Sequence, residues 1–188
     1  VYNYNYKSKE MDLNVCAFKD NKISILDSLV FENIRNFEDI EISVGNISSK
    51  QKALFLSLPD NEDTGFTTQV VYLEQKNLIN AFKDMKVQMK NEYFIPFEDV
   101  NNDGITNIPK IEQSSVTIDT LSTSTFPTSL IISWNKYNGK QDKDADVIFV
   151  SQIYYNYEAN FRFLIPNNLV GKLSIIEDTE NKSGNYKV

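Results

Sequence analysis

Histidine is missing from all 188 residues, and that absence removes more chemistry than any motif in the chain adds. Imidazole is the side chain whose unperturbed pKa lies nearest neutral pH, so no Ser-His-Asp or Cys-His catalytic arrangement can be built here. Zinc sites with His ligands go with it. The one cysteine, Cys16, can form neither an internal disulfide nor a thiolate cluster. Its apolar setting, Leu13 to Phe18, predicts a buried and inert thiol. The six glycines are scattered singly, with no phosphate-cradling spacing. No run approaches the roughly 20 apolar residues of a membrane-spanning helix. With 19 basic against 26 acidic residues the net charge is -7, and the chain lacks the clustered cations that bind a phosphate backbone. Nucleic acid is therefore not an expected partner.

What remains is hard-cation and carboxylate chemistry. Oxygen-liganded metals are still available. Paired-carboxylate catalysis, for instance on glycans, also stays formally open, although 26 acidic residues make some close pair expected by chance. Hydrophobic residues at 41% and charged residues at 24% match an ordinary globular protein. The length suits a single β-rich domain or domain fragment over 1–188, with a candidate internal boundary in the Ser/Thr-rich stretch 114–129.

Along the chain, β-branched and aromatic residues alternate with polar ones between turn signals. Asp12 to Phe18 and Lys22 to Leu26 flank Lys19-Asp20-Asn21 as a hairpin. Glu38 to Val44 alternates as Ile40, Ile42 and Val44 against Asp39, Glu41 and Ser43, leaving one face for a core and one for water. Ala53 to Leu58 and Thr67 to Leu73 flank the polar loop Pro59 to Gly65. Leu130 to Trp134 pairs with Asp146 to Tyr154, and Asn160 to Pro166 with Gly171 to Ile176 across an Asn-Asn-Leu turn. Beyond Asp178 the chain is polar and is expected to fray. Leu78, Ile79, Phe82 and Met85 recur at helical spacing, predicting one short amphipathic helix over Asn77 to Met89. The expected fold is mainly β: antiparallel hairpins in a partial β-propeller-like or sandwich-like array with one or two short helices, the alternative being α+β. Ala53 to Leu58, Gly104 to Ile111 and Asp146 to Ser151 each place an apolar strand after a polar turn, at roughly blade-length intervals.

One segment carries a mechanism. In Asp99-Val100-Asn101-Asn102-Asp103-Gly104-Ile105-Thr106-Asn107, the side-chain oxygens of Asp99, Asn101 and Asp103 can turn inward on one cation. Gly104 permits the sharp turn, the carbonyl of Ile105 can add an oxygen, and Asn107 can ligate directly or through water. Flexible carboxylate, amide and carbonyl donors favour Ca²⁺ over Mg²⁺. Position twelve is Lys110 rather than the bidentate Glu of helix-type loops, and Pro109 discourages a following helix, so a strand-flanked loop is expected. An Asx-rich turn bonding its own backbone uses the same side chains.

Phe97 to Gly104 followed by Ile108-Pro109 resembles the repeat of FG-GAP/VCBS-type, integrin-like β-propeller proteins, and in particular secreted lipoproteins of clostridia and related Gram-positive bacteria. Val44 to Ile47, Lys52 to Leu56, Ser133 to Lys140 and Asn160 to Pro166 extend that resemblance. Where the family commonly has Asp or Glu, this chain has Asn107. The resemblance implies a non-enzymatic, extracellular protein tethered to the cell membrane, with a structural Ca²⁺ and an unidentified protein or glycan ligand. Any signal or lipid-attachment segment would lie outside this sequence, which begins at Val1 without a Met.

Two tyrosine groups, Tyr2, Tyr4, Tyr6 and Tyr154, Tyr155, Tyr157, read as sheet packing ahead of a ligand platform. Trp134 reads as core. Asp142, Asp144 and Asp146 read as a solvated acidic turn ahead of a degenerate second cation loop.

Overall fold

The structure, a computed structural model, describes residues 1–61, 65–83, 85, 89–112, 127–140, 146–173, 176–177 and 186–187. Its regular elements are all strands, and no helix occurs among the described residues. The first sheet holds β1 (Tyr2–Asn5), β2 (Glu10–Lys19) and β3 (Lys22–Phe31) in that order. A middle sheet runs β4 (Glu41–Ser48), β5 (Gln51–Pro59), β6 (Phe66–Glu74) and β7 (Asn77–Asn80), with β8 (Lys90–Asn91) also on β6. The last large sheet orders β9 (Ile108–Ile111), β10 (Ser129–Tyr137), β11 (Val147–Asn156) and β12 (Phe161–Ile165). A small ribbon pairs β13 (Ile176–Glu177) with β14 (Tyr186–Lys187). Every pairing is antiparallel.

The middle sheet is covered on both faces, which explains the nearly unbroken apolar run of β5. Leu56 and Leu58 pack with Val71 against Met11, Leu13 and Phe31 of the first sheet. From the other side of the same strand, Ala53 and Phe55 join Val70 and Tyr72 against Ile108 and Tyr137 of the last sheet. Burying a Leu or Phe side chain contributes about 1.5–3 kcal/mol each, so these two interfaces hold the three sheets together. One face of the last sheet buries Leu130, Ile132 and Trp134 under Ile95. Its other face buries Ile131, Tyr154 and Ile165, with Leu169, Val170 and Leu173 packed against them.

The β2–β3 hairpin turns on Asp20 and Asn21, both at positive φ (50° and 57°), the backbone that a two-residue turn between twisted strands requires. Its distal half runs past the core, so Phe18 and Ile23 pair directly yet are 72% and 73% exposed. Cys16 sits in this half and is half-buried, where the sequence predicts full burial.

Four further expectations are corrected. Asn77–Asn80 is strand, not helix: alternation sends Leu78 toward the first core and Ile79 toward the second, while pairing with β6 supplies the backbone partners. Phe82, Met85 and Met89 follow in turns and irregular chain that fill the second core, so the helical spacing is a coincidence of a strand followed by a turn. Val44 is 68% exposed, because β4 lies at the edge of its sheet. Of the segment Gly171 to Ile176, residues 174–175 lie outside the described residues, Gly171, Lys172 and Leu173 do not pair with β12, and Ile176–Glu177 pairs with Tyr186–Lys187, which takes that part of the tail out of the fraying expected of it. The three apolar segments read as repeats become β5, β9 and β11, the second, first and third strands of their sheets, so they are not equivalent units. Asp142, Asp144 and most of the 114–129 stretch lie outside the described residues.

Candidate metal centre

Residues 99–107 form a loop leading into β9, closed at its base by an antiparallel bridge between Glu98 and Asn107. It is not helical: Val100 to Gly104 is a chain of bends, and Gly104 takes φ +81°, the left-handed value that favours glycine. Asn102 also stands at positive φ (57°), which Asn tolerates better than most residues.

The polar side chains fold back onto this turn. Asp99 Oδ1 accepts from the Asp103 amide at 3.1 Å and Asp99 Oδ2 from the Gly104 amide at 2.8 Å. Asn101 Oδ1 accepts from the Asp103 amide at 3.4 Å, and Asp103 Oδ1 from the Ile105 amide at 2.8 Å. Asn101 Nδ2 donates to Asp103 Oδ2 at 3.0 Å. Asp99, Asn101 and Asp103 are thus brought together around one turn, their oxygens oriented by backbone N–H groups. Asn107 plays a different part. It is fully buried, its Oδ1 accepts from the Val100 amide at 3.0 Å, and its Nδ2 has no hydrogen-bond partner. That geometry makes Asn107 a latch across the loop's base. For Ile105 the structure gives the amide contact to Asp103 and no other polar role.

The donor set fits a hard cation in kind, two carboxylates and an amide within five residues: Asp99 Oδ1 and Oδ2, Asn101 Oδ1 and Asp103 Oδ1 each keep a second lone pair, whereas Asp103 Oδ2 is taken by Asn101 and Lys136. It is sparse in charge, since no group of three His, Cys, Asp or Glu residues arranged for a metal occurs among the described residues. Lys136 on β10 places Nζ 3.5 Å from Asp103 Oδ2. The Asn101 hydrogen bond, then the Ile105 amide, and further the Lys136 charge hold the Asp103 carboxyl below the usual carboxylate range. Folded Asp103 therefore binds its proton less readily than unfolded Asp103. Its contribution to stability is present above the unfolded carboxylate pKa and is lost as pH falls through the lower folded value. An NMR pH titration of the Asp103 carboxyl should show its midpoint rising in Asn101→Ala, and rising less in Lys136→Met, because the hydrogen bond outweighs the screened surface charge.

The loop is also a joint between sheets. The Thr106 amide donates to the Asn46 carbonyl at 2.9 Å, and the Asn46 amide to Thr106 Oγ1 at 3.1 Å. Asn46 Nδ2 reaches the Gly104 carbonyl at 3.0 Å. These three bonds fix the loop to β4 of the middle sheet, while β9 carries its far end into the last sheet. Sequence reading missed Asn46, Gly45 and Lys136. A lone glycine inside an alternating strand, which often marks close backbone approach, was the one available signal.

Tyr4 and Tyr154 pack into the sheets, whereas Tyr2, Tyr6 and Tyr157 are exposed. Tyr4 Oη donates to the Ile34 carbonyl, Tyr154 is buried against Phe161 and Phe163, and the Tyr155 and Tyr157 rings stack 5.9 Å apart. Trp134 is core at 1% exposure. Compared with known proteins, the chain matches no family model, no curated protein and no solved structure.

Proposed function

We propose that this chain is a non-catalytic binding or scaffolding module displayed outside the cell and tethered to its membrane, in which the Asp99 loop holds a structural Ca²⁺ ion. The observation that carries the reading is the loop itself: Asp99, Asn101 and Asp103 converge on one glycine turn that is stapled to the middle sheet and continues into the last. Asp99, Asn101 and Asp103 would hold the ion with the Ile105 carbonyl, Asn107 keeping the loop base closed. The ion would supply positive charge at the turn and so stiffen the joint between two sheets. The absence of imidazole and thiolate chemistry leaves a structural cation as the simplest use of such a loop. The compartment and the protein or glycan partner follow from the resemblance to secreted lipoproteins.

With two carboxylates, affinity should fall in the range of about 10⁻⁴–10⁻³ M typical of extracellular modules. Titration of CaCl₂ followed by the amide resonances of Asp103 and Gly104 should saturate in that range, and Asp99→Asn combined with Asp103→Asn should abolish the response. A flat titration, or an unchanged one in the double variant, overturns the cation. A second reading, an Asx turn in a purely structural spacer, is favoured by Lys136, whose ammonium already stands beside Asp103. It predicts the flat titration.

A further inference from the structure

One face of the middle sheet outruns its cover. Leu56 on β5 is fully buried against the first sheet, but toward the β4–β5 turn the same face opens: Leu54 is half-buried, and Leu73 and Val44 are 47% and 68% exposed. Register sets these side by side, Leu54 pairing with Val44 on one flank and on the other with Val71, two residues from Leu73. Leu13 and Val15 of β2 form the facing wall. The wedge between them holds about 390 Å³, within the roughly 300–1,000 Å³ that ligand sites take.

The walls decide what can lie there. They are sheet faces whose backbone groups are already paired in ladders, so a peptide strand would find no partners for its own. A helix, about 10 Å across, would seat a single turn in so small a space. Of the polar residues in the lining, Asn14 Oδ1 already accepts from Ser28 at 2.7 Å, and Tyr72 packs into the core on the sheet's other face. That leaves Lys52, exposed at the mouth and without an ion pair among the described residues. The two flanking turns add Lys50 and Lys76 against one acid, Glu74, while Asp27 of β3 already accepts from the Leu78 amide at 2.7 Å.

We propose that this wedge binds a long-chain carboxylate, its hydrocarbon tail lying between Leu13 and Leu54 and its head group paired with Lys52. An unbranched tail needs no hydrogen bonds, and its entry takes the exposed parts of Val44 and Leu73 out of water. The ammonium at the mouth then meets the one charge the ligand carries. The inference goes beyond the reading of the chain as a binding module and makes no use of the cation loop.

Maleimide labelling of Cys16, the one thiol in the chain, reports occupancy, because this half-buried side chain lines the facing wall. On the full chain, dodecanoate below its micelle-forming concentration should slow labelling in a saturable way. Dodecyltrimethylammonium, with the same tail and the opposite charge, should do so only at severalfold higher concentration. Lys52→Met should remove that preference, and Val44→Asp, at an exposed edge position, should raise the dodecanoate needed about tenfold by setting a charge against the tail. If Val44→Asp fails to fold, Leu73→Ser, also exposed, should weaken protection severalfold. Labelling left unchanged or quickened by dodecanoate, or protection undiminished in the folded variants, overturns the proposal. Equal protection by the two amphiphiles overturns the carboxylate, and labelling that slows with protein concentration alone puts a second copy in the wedge and overturns the ligand. A calcium response without dodecanoate protection would remove this inference only, and protection without a calcium response would remove the loop assignment only.

Discussion

Replacing Gly45 with alanine should lower the stability of the protein by about 3–5 kcal/mol, the sum of an overpacking strain and of hydrogen bonds broken at the joint. A Cβ at this position would overlap Thr106 Oγ1 and stand 2.8 Å from Phe55 Cε2. Neither neighbour can give way cheaply. Phe55 is fully buried between the middle and last sheets, and Thr106 Oγ1 is held by the Asn46 amide. Relief must come from β4 moving away from the loop, which breaks the paired bonds between Asn46 and Thr106 and the bond from Asn46 Nδ2 to Gly104. Chemical denaturation should show the loss, and for a chain of this size it corresponds to a fall in melting temperature of roughly 6–20 °C. Thr106→Ala provides the internal check. Combined with Gly45→Ala it should recover part of the loss, since the overlapping oxygen is removed; strict additivity would show that the clash lies elsewhere.

Asn91→Leu should cost about 2–4 kcal/mol although it places a hydrophobic side chain at a buried position. The Asn91 side chain imitates a strand: Nδ2 donates to the Pro109 carbonyl at 2.9 Å and Oδ1 accepts from the Ile111 amide at 2.8 Å. It thereby satisfies the open edge of β9, the first strand of the last sheet. Leucine leaves both backbone groups buried and unpaired, each costing about 1–3 kcal/mol. Amide exchange localises the effect. The Ile111 amide should lose protection by orders of magnitude more than the Ile153 amide in the interior of the same sheet. Equal protection loss at both positions would mean global destabilisation rather than a failed edge.

The parts of the fold that could be read from sequence are those in which one periodicity and one turn act together. Lys19-Asp20-Asn21 between alternating segments became the β2–β3 hairpin, and the polar loop Pro59 to Gly65 separates β5 from β6. Reading failed where the chain changes habit within a few residues. Leu78 and Ile79 belong to a strand, Phe82 to the turn after it and Met85 to irregular chain, so a helical spacing arises without a helix among the described residues. It failed again where pairing is decided by competition, as when Ile176–Glu177 takes Tyr186–Lys187 rather than β12. At the candidate site, Asp99, Asn101 and Asp103 were legible because Asx residues at alternate positions before a glycine have few structural uses. Asn107 was legible as a polar position but not as a buried latch, since burial depends on the bridge to Glu98. Asn46 and Lys136 could not be read as site residues: each acts on the loop from a strand distant in sequence.

Thermal unfolding with and without Ca²⁺ tests the cation joint most directly. With an affinity of about 10⁻⁴–10⁻³ M, about 10 mM Ca²⁺ should stabilise the chain by about 1.4–2.7 kcal/mol and raise its melting temperature by roughly 3–10 °C over a chelator-treated sample. Mg²⁺ should do much less, and the shift should vanish when Asp99 and Asp103 are both replaced by Asn. Superimposable melts, or an equal shift in the double variant, would contradict a calcium ion at this loop.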